Sequence, residues 1–191
     1  MAIKSLFTTI SAGKYKGKKI ALPSLDSTRS TKAILKGSLF DTLQYDMVDE
    51  VFVEVFGGSG SMGLEALSRG AGHAYFIEKD KAAFGTLKSN CKLIDEKNTT
   101  PMQGDSFLIF PTLLATLSGK AYFYFDPPFS IRDGMEDIYQ KVLALIASIP
   151  KGKAHLVVME HMSTLIVPES IGAYTLSKTK KFGNSSLSYY L

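Results

Sequence analysis

A run of five apolar residues, Ala121–Phe125, ends in the motif Asp126-Pro127-Pro128-Phe129. Asp126 provides a hydrogen-bond acceptor at the end of a predicted strand, and the two prolines lack N–H donors but keep their carbonyl acceptors. Phe129 offers a flat face on which a planar base can stack. Acceptors beside an aromatic plane can hold an exocyclic amino group and direct its lone pair toward an electrophile. The motif therefore predicts a catalytic site, formed by these four residues, for chemistry on an amine.

A glycine-rich loop, Phe56-Gly57-Gly58-Ser59-Gly60, lies between a short apolar strand and a predicted helix. Glycines allow a tight strand-to-helix turn and a close approach of the backbone to a ligand. With Gly63, the loop also matches a GxGxxG pattern in the strand–helix setting that favours cofactor binding. Glu78 follows Gly58 by twenty residues, a spacing at which an acid can accept hydrogen bonds from the ribose hydroxyls of an adenosine. The sequence thus predicts an adenosine-containing cofactor.

Glu54 brings a second carboxylate close to the loop. It would repel the pyrophosphate of NAD but would suit the amino group of the methionine part of S-adenosylmethionine. Further along, Asp105 can accept the adenine amino group, act as a helix N-cap, or do both, while Phe107 packs on the ring. The predicted cofactor contacts are Thr31, Glu54, Phe56, Gly57, Gly58, Ser59, Gly60, Glu78, Lys79, Asp105, Ser106 and Phe107.

The 191 residues carry a net charge of +4 that is unevenly distributed. Residues 1–40 contain eight basic residues and one acidic residue, which indicates a polyanionic partner for this segment. Two short runs around a glycine-containing turn predict a basic hairpin there. The candidate contacts to the polyanion are Lys14, Lys16, Lys18, Lys19 and Arg29.

Other functional classes are disfavoured by composition. The single cysteine, Cys91, excludes an internal disulfide framework, and the three histidines lack a metal-ligand spacing, so we predict no metal. No apolar run is long enough to cross a bilayer, and the first ten residues lack the apolar core of a signal peptide. We therefore expect a cytoplasmic, monomeric protein without a membrane partner.

Strand-like and helix-like segments alternate from residue 51 onward, which predicts an α/β fold with a mostly parallel sheet and helices on both faces. Thr31–Leu43 has helical spacing, with Ser30 or Thr31 as its N-cap. Ala154–Met159 is predicted as a late strand, and a closing hairpin is predicted around Gly183-Asn184. We expect two parts: an extension over residues 1–24 and a main body over residues 25–191.

Taken in order, these motifs resemble the RsmD family of bacterial 16S ribosomal RNA guanine-N2 methyltransferases. The run Gly63-Leu-Glu-Ala-Leu-Ser-Arg-Gly70 is specific to that family and its close relatives. The matching segments lie between residues 13 and 129, and they are Gly13–Lys19, Thr28–Thr31, Leu39-Phe40, Phe56–Ala71, Phe76–Asp80, Asn90 and Asp126–Phe129.

The resemblance implies a Rossmann-like, seven-stranded methyltransferase fold with S-adenosylmethionine as methyl donor. It implies a guanine in small-subunit rRNA as substrate, either in free RNA or in the 30S particle. It places Phe56–Gly60 and Glu78 at the cofactor, Asp105 at the adenine, and Asp126–Phe129 at the site of transfer. The basic hairpin becomes an RNA-binding extension.

The chain departs from the family pattern at three places. Glu54 stands where the family usually has Asp, Gly57 stands where it usually has Ala, and the helix after Arg29 lacks the usual Pro and charged Arg-x-Arg-Glu stretch. The acceptor motif fits an adenine-N6 or other amino-methyltransferase as well as a guanine-N2 enzyme. An NAD-dependent oxidoreductase and a non-catalytic RNA-binding protein are the alternatives from other classes.

Overall fold

A computed structural model describes residues 6–23, 29–44, 46–128 and 137–191, with the side chains of residues 29–31 excluded. Three residues of the predicted sites, the side chains of Arg29 and Thr31 and the whole of Phe129, lie outside this described part.

Within the described residues, the main body is built on one sheet of eight strands in the order β5-β4-β3-β6-β7-β10-β9-β8. Strands β3 to β7 pair in parallel, and β10 is antiparallel to both β7 and β9. The strands are β3 (Val51–Glu54), β4 (His73–Glu78), β5 (Thr99–Gln103), β6 (Ala121–Phe125), β7 (Ala154–Met162), the two-residue β8 (Ser170–Ile171), β9 (Tyr174–Phe182) and β10 (Ser185–Tyr190). The predicted α/β fold class is confirmed.

Five helices of the described residues cover the two faces of this sheet, to which successive strand residues point alternately. In β6, Tyr122 and Tyr124 pack with α1, α2 and α3, whereas Phe123 and Phe125 pack with α4 and α5. All five residues of β6 are buried, as expected for a central parallel strand. The helices are α1 (Arg29–Leu43), α2 (Ser61–Ser68), α3 (Lys81–Asp95), α4 (Ser106–Thr116) and α5 (Ile138–Ala147).

The N-terminal hairpin forms a separate two-stranded sheet, β1 (Phe7–Thr9) with β2 (Lys19–Ala21). It is packed against the main body, because Ile10 and Ile20 are fully buried in the core that α1, α2 and α3 share with the sheet. Gly13 has a φ of +80°, and a Cβ there would lie 1.7 Å from the carbonyl oxygen of Ser68. The hairpin turn therefore sits directly on the end of α2.

Two predicted boundaries were wrong. Helix α1 spans Arg29–Leu43, so Ser30 and Thr31 lie within it and the predicted start at Thr31 was two residues late. Strand β7 continues three residues past the predicted end at Met159, because the buried side chains of Glu160 and His161 hydrogen-bond to residues of neighbouring strands. No helix of the described chain is long and apolar enough to span a bilayer.

Candidate active site

The glycine loop turns sharply from β3 into α2. Gly58 and Gly60 have φ values of +50° and +78°, in the left-handed region that favours glycine. The N–H of Gly57 donates to the carbonyl of Ile77 (2.7 Å), which ties the loop to the end of β4. A Cβ on Gly63 would lie 2.4 Å from the Phe76 ring, so glycine is also required where α2 packs on the sheet.

Glu54 ends β3 beneath this loop. Its side chain is buried and accepts a hydrogen bond from the N–H of Gly63 (2.8 Å) at the start of α2. Burial raises the pKa of Glu54 to about 8, even though the N–H groups of Gly63 and Met62 favour the charged form. Glu54 is thus protonated at neutral pH in the free protein, and a cationic amino group placed beside it would favour its ionised form.

The predicted adenosine-binding residues lie together at the ends of β4 and β5. Glu78 accepts hydrogen bonds from the N–H groups of Gly58 and Asp80, both 2.7 Å, so it stands directly against the glycine loop. Asp80 caps α3 by accepting from the N–H of Ala83 (2.8 Å). A carboxylate held beside a glycine loop in this way can accept hydrogen bonds from vicinal ribose hydroxyls.

Asp105 caps α4 by accepting from the N–H of Phe107 (3.0 Å), and Lys79 lies 2.8 Å from its other oxygen. The Lys79 hydrogen bond holds the pKa of Asp105 below its ordinary value. The Phe107 ring meets the Phe56 ring edge-on at 5.8 Å. Ser106 is buried, and its hydroxyl donates to the carbonyl of Val55. The N-cap role of Asp105 is confirmed, and the cofactor contacts of this group stay predictions.

A pocket of about 480 Å³ opens at the carboxyl ends of β3 and β6. Its walls include predicted cofactor residues from Glu54 to Ser59 and the catalytic candidate Asp126. The hairpin closes one side with the strand segment Phe7–Thr9, and α1 contributes Lys32. This volume is in the range of small-molecule sites, and its position beyond the strand ends is where parallel α/β sheets bind ligands.

Asp126 lies at this pocket with its side chain one-quarter exposed. Lys32 of α1 places its ammonium 2.7 Å from Asp126 and 3.2 Å from Glu160. Glu160 is fully buried, and the Tyr124 hydroxyl donates to its second oxygen (2.6 Å). Two carboxylates at the ends of neighbouring strands therefore share one lysine.

Sequence reasoning missed Lys32, Glu160 and Tyr124. Phe125 pairs with Met159, so the next residues in register are Asp126 and Glu160. A glutamate directly after the apolar run Ala154–Met159 was the available signal for Glu160. No local pattern pointed to Lys32, which meets Asp126 across 94 positions of sequence.

Known proteins are similar to this chain in sequence and in fold. The family model described as "Conserved hypothetical protein 95" matches residues 8–191. The protein YlbH of Bacillus subtilis is 27% identical over 184 residues, which cover 94% of this chain and 96% of YlbH. Ribosomal RNA small subunit methyltransferase D of Haemophilus influenzae is 28% identical over 188 residues, covering 95% of this chain and 92% of that protein. The solved structure of yhhF from Escherichia coli matches with a TM-score of 0.74 and 26% identity, over 96% of this chain and 97% of that chain.

The fold and the site define an S-adenosylmethionine-dependent methyltransferase. The residues present fit that cofactor, because carboxylates stand both at the glycine loop and under the pocket, where ribose hydroxyls and an amino group need acceptors. The chain belongs to the family whose model matches it, and the predicted RsmD resemblance is confirmed. The NAD-dependent oxidoreductase alternative was wrong.

The raised pKa of Glu54 predicts how stability depends on pH. The unfolded chain releases this proton near its ordinary pKa of 4.5, whereas the cofactor-free folded protein holds it up to about 8. The contribution of Glu54 is therefore fully present below about 4.5 and is lost as pH rises through about 8. We expect the wild type to lose stability relative to Glu54→Gln as pH rises, measured by urea unfolding of the cofactor-free proteins. Parallel stability curves for the two proteins would contradict the assignment.

Proposed function

We propose that the protein transfers the methyl group of S-adenosylmethionine to the exocyclic N2 amino group of a guanine in 16S ribosomal RNA, and that it acts as a cytoplasmic monomer. The observation that carries this proposal is Asp126, an acceptor at the end of a central strand, at the mouth of the pocket that the glycine loop lines. The relative from Haemophilus influenzae, named as a small-subunit rRNA methyltransferase, supports the same substrate class.

The chain's own residues supply positioning and electrostatics for this reaction. An exocyclic amine is a weak nucleophile because its lone pair is delocalised into the ring. Asp126 and the carbonyl of Pro127 accept hydrogen bonds from the amine, which pulls the nitrogen toward tetrahedral geometry and directs its lone pair into the pocket. The cofactor supplies an electrophilic methyl group on a sulfonium centre. The target base must leave its stack or be unpaired to reach Asp126.

Nucleoside analysis tests the proposal. The protein is incubated with labelled S-adenosylmethionine and small-subunit rRNA that lacks the modification, both as naked RNA and as assembled 30S particles. We expect N2-methylguanosine, and the better of the two substrates identifies the natural one. N6-methyladenosine would overturn the guanine assignment in favour of the adenine-N6 alternative. No label in either substrate would overturn the proposed function.

The hairpin is proposed as the RNA-binding extension. Lys14, Lys16, Lys18 and Lys19 are all exposed, and the ammonium groups of Lys14 and Lys18 lie 4.9 and 5.0 Å from the centre of the Tyr15 ring. The Tyr15 hydroxyl is anchored to Asp95 of α3 at 2.7 Å. Two of these cations thus lie close together at Tyr15, and the other two are exposed in the same hairpin, which suits a phosphate backbone.

Changing all four hairpin lysines to glutamine is expected to weaken RNA binding and reduce its dependence on salt. The slope of log K against log salt should fall in magnitude by about 3, because each lost phosphate contact removes roughly 0.7–0.9. Filter binding over a range of salt concentrations measures both. The matched control removes the same number of exposed lysines elsewhere: Lys88, Lys92, Lys97 and Lys120. Equal slopes for the two variants would mean that the hairpin does not contact phosphate.

A further inference from the structure

Asp126 lies beside a second carboxylate, that of Glu160. Asp126 and Glu160 follow paired residues on adjacent parallel strands, so their carboxylates are close neighbours. Glu160 is fully buried. One of its oxygens accepts from the Tyr124 hydroxyl, while Oε1 accepts no hydrogen bond within the described chain and faces the Lys32 ammonium at 3.2 Å. Both carboxylates lie within 3.2 Å of the same ammonium nitrogen, and Glu160 is shielded from water, so their negative charges repel each other strongly.

We propose that Lys32 is a positioning residue: by balancing the buried charge of Glu160, it leaves an oxygen of Asp126 free to accept from the substrate amine. This inference rests on the proposed function. Among the described residues, Lys32 is the basic side chain that contacts both carboxylates, and with 44% of its side chain exposed it reaches them from the mouth of the pocket. Its ammonium donates to Asp126 and lies 3.2 Å from the second oxygen of Glu160, Oε1.

The other groups of the described chain that face this pair carry no positive charge. They are Glu54 from β3, Tyr124 from β6 and Tyr139 from α5. Burial and the Asp126 charge raise the pKa of Glu160, while Lys32 and the Tyr124 hydroxyl oppose that shift. Partial burial lowers the pKa of Lys32, but the two carboxylates raise it further, and the net shift is upward. Lys32 is therefore an ammonium ion at neutral pH.

Without Lys32, the buried Glu160 carboxylate would face Asp126 without a counter-charge, so Glu160 would take up a proton and its O–H would donate to Asp126. A proton held between them occupies the acceptor that the amine needs. Raising the pH would remove it and restore the acceptor. Removing the charge of Glu160 would also make Lys32 dispensable. The proposal therefore predicts rescue by a second substitution, which a purely structural role for Lys32 does not.

The experiment compares Lys32→Met, Glu160→Gln and the double variant, with Lys88→Met on the exposed face of α3 as control. We expect K32M to lower kcat for rRNA methylation about tenfold at neutral pH, the scale of losing one hydrogen-bond acceptor to the Glu160 proton. The acidic limb of its kcat–pH profile should move to higher pH, so that the loss shrinks in alkaline buffer. The double variant should recover most of the activity at neutral pH, and K88M should match the wild type.

A stability measurement on the same proteins needs no RNA. In K32M the Glu160 proton makes the folded state lose stability as pH rises, so its Tm deficit against wild type should grow from acidic to alkaline buffer. The deficit should shrink in the double variant. A K32M deficit in kcat that is equal at every pH and is not relieved by E160Q would overturn the inference. A wild type that methylates no rRNA would overturn the proposed function, while the pH dependence of Tm would still decide the role of Lys32.

Discussion

Replacing Asp126 with alanine is expected to lower methyl transfer by at least about 100-fold, the scale for losing one positioned transition-state contact. Binding of S-adenosylmethionine should be unchanged, because the glycine loop, Glu54 and Glu78 are held by bonds that do not involve Asp126. The fold should persist as well, since Lys32 still pairs with Glu160 in the variant. Single-turnover methylation and equilibrium binding of the cofactor measure the two effects separately.

Asp126→Asn separates charge from shape. It keeps the size of the side chain and one carbonyl acceptor but adds an N–H donor that faces the substrate amine, so its loss should approach that of alanine. Asp41→Ala, on the exposed face of α1, is the matched control and should retain full activity. Turnover like the wild type by D126A on rRNA would remove Asp126 from the mechanism.

The second large effect is expected at Glu65, a fully buried residue of α2 that holds the hairpin in place. Its carboxylate accepts from the N–H (2.9 Å) and hydroxyl (2.6 Å) of Ser11, from the N–H of Ala12 (3.1 Å), and from Arg69 (2.9 Å). Lys36, itself nearly buried, lies 3.1 Å away. Burial alone would raise the pKa of Glu65, but the Lys36 charge and the hydrogen bonds from Ser11 and Arg69 lower it below its ordinary value.

Glu65→Gln keeps the shape and removes the charge, which leaves Lys36 buried without a counter-charge. We expect the free energy of unfolding in urea to fall by about 3–5 kcal/mol, the cost of breaking a buried ion pair from one side. Hydrogen exchange at the amides of Ser11 and Ala12 should accelerate at the same time. Glu96→Ala at an exposed position after α3 is the control. A loss no larger than that of the control would mean that Glu65 does not secure the hairpin.

Local patterns in the sequence identified the elements that carry the cofactor site. The apolar run Ala121–Phe125, stopped by two prolines, was predicted with its observed bounds, and a helix was predicted after the glycine loop, where α2 begins. These elements are defined by neighbours in sequence, so hydrophobic periodicity and turn residues suffice to find them. The resemblance to the RsmD family added two further predictions, the methyltransferase fold and S-adenosylmethionine as the cofactor.

Such local patterns could not predict the ion pairs of Lys32 and Lys36, because the paired residues are distant in sequence. Glu160 and His161 are polar residues in a central strand, and each has a hydrogen-bond partner on a neighbouring strand, Tyr124 and Ser188 respectively. Lys32 and Lys36 counted as part of a basic N-terminal segment, but each pairs with a carboxylate of the main body. Part of the positive charge that suggested a polyanionic partner is therefore used inside the fold.

The hairpin turn is fixed on α2 by hydrogen bonds to Ser68. The N–H groups of Lys14 and Tyr15 donate to the carbonyl and hydroxyl of Ser68, and the Ser68 hydroxyl donates to the carbonyl of Ala12. The turn is thus preorganised before any ligand arrives, and its backbone loses little conformational entropy on binding. We expect this surface to bind RNA by rigid docking, with a small heat-capacity change, and not by coupled folding and binding.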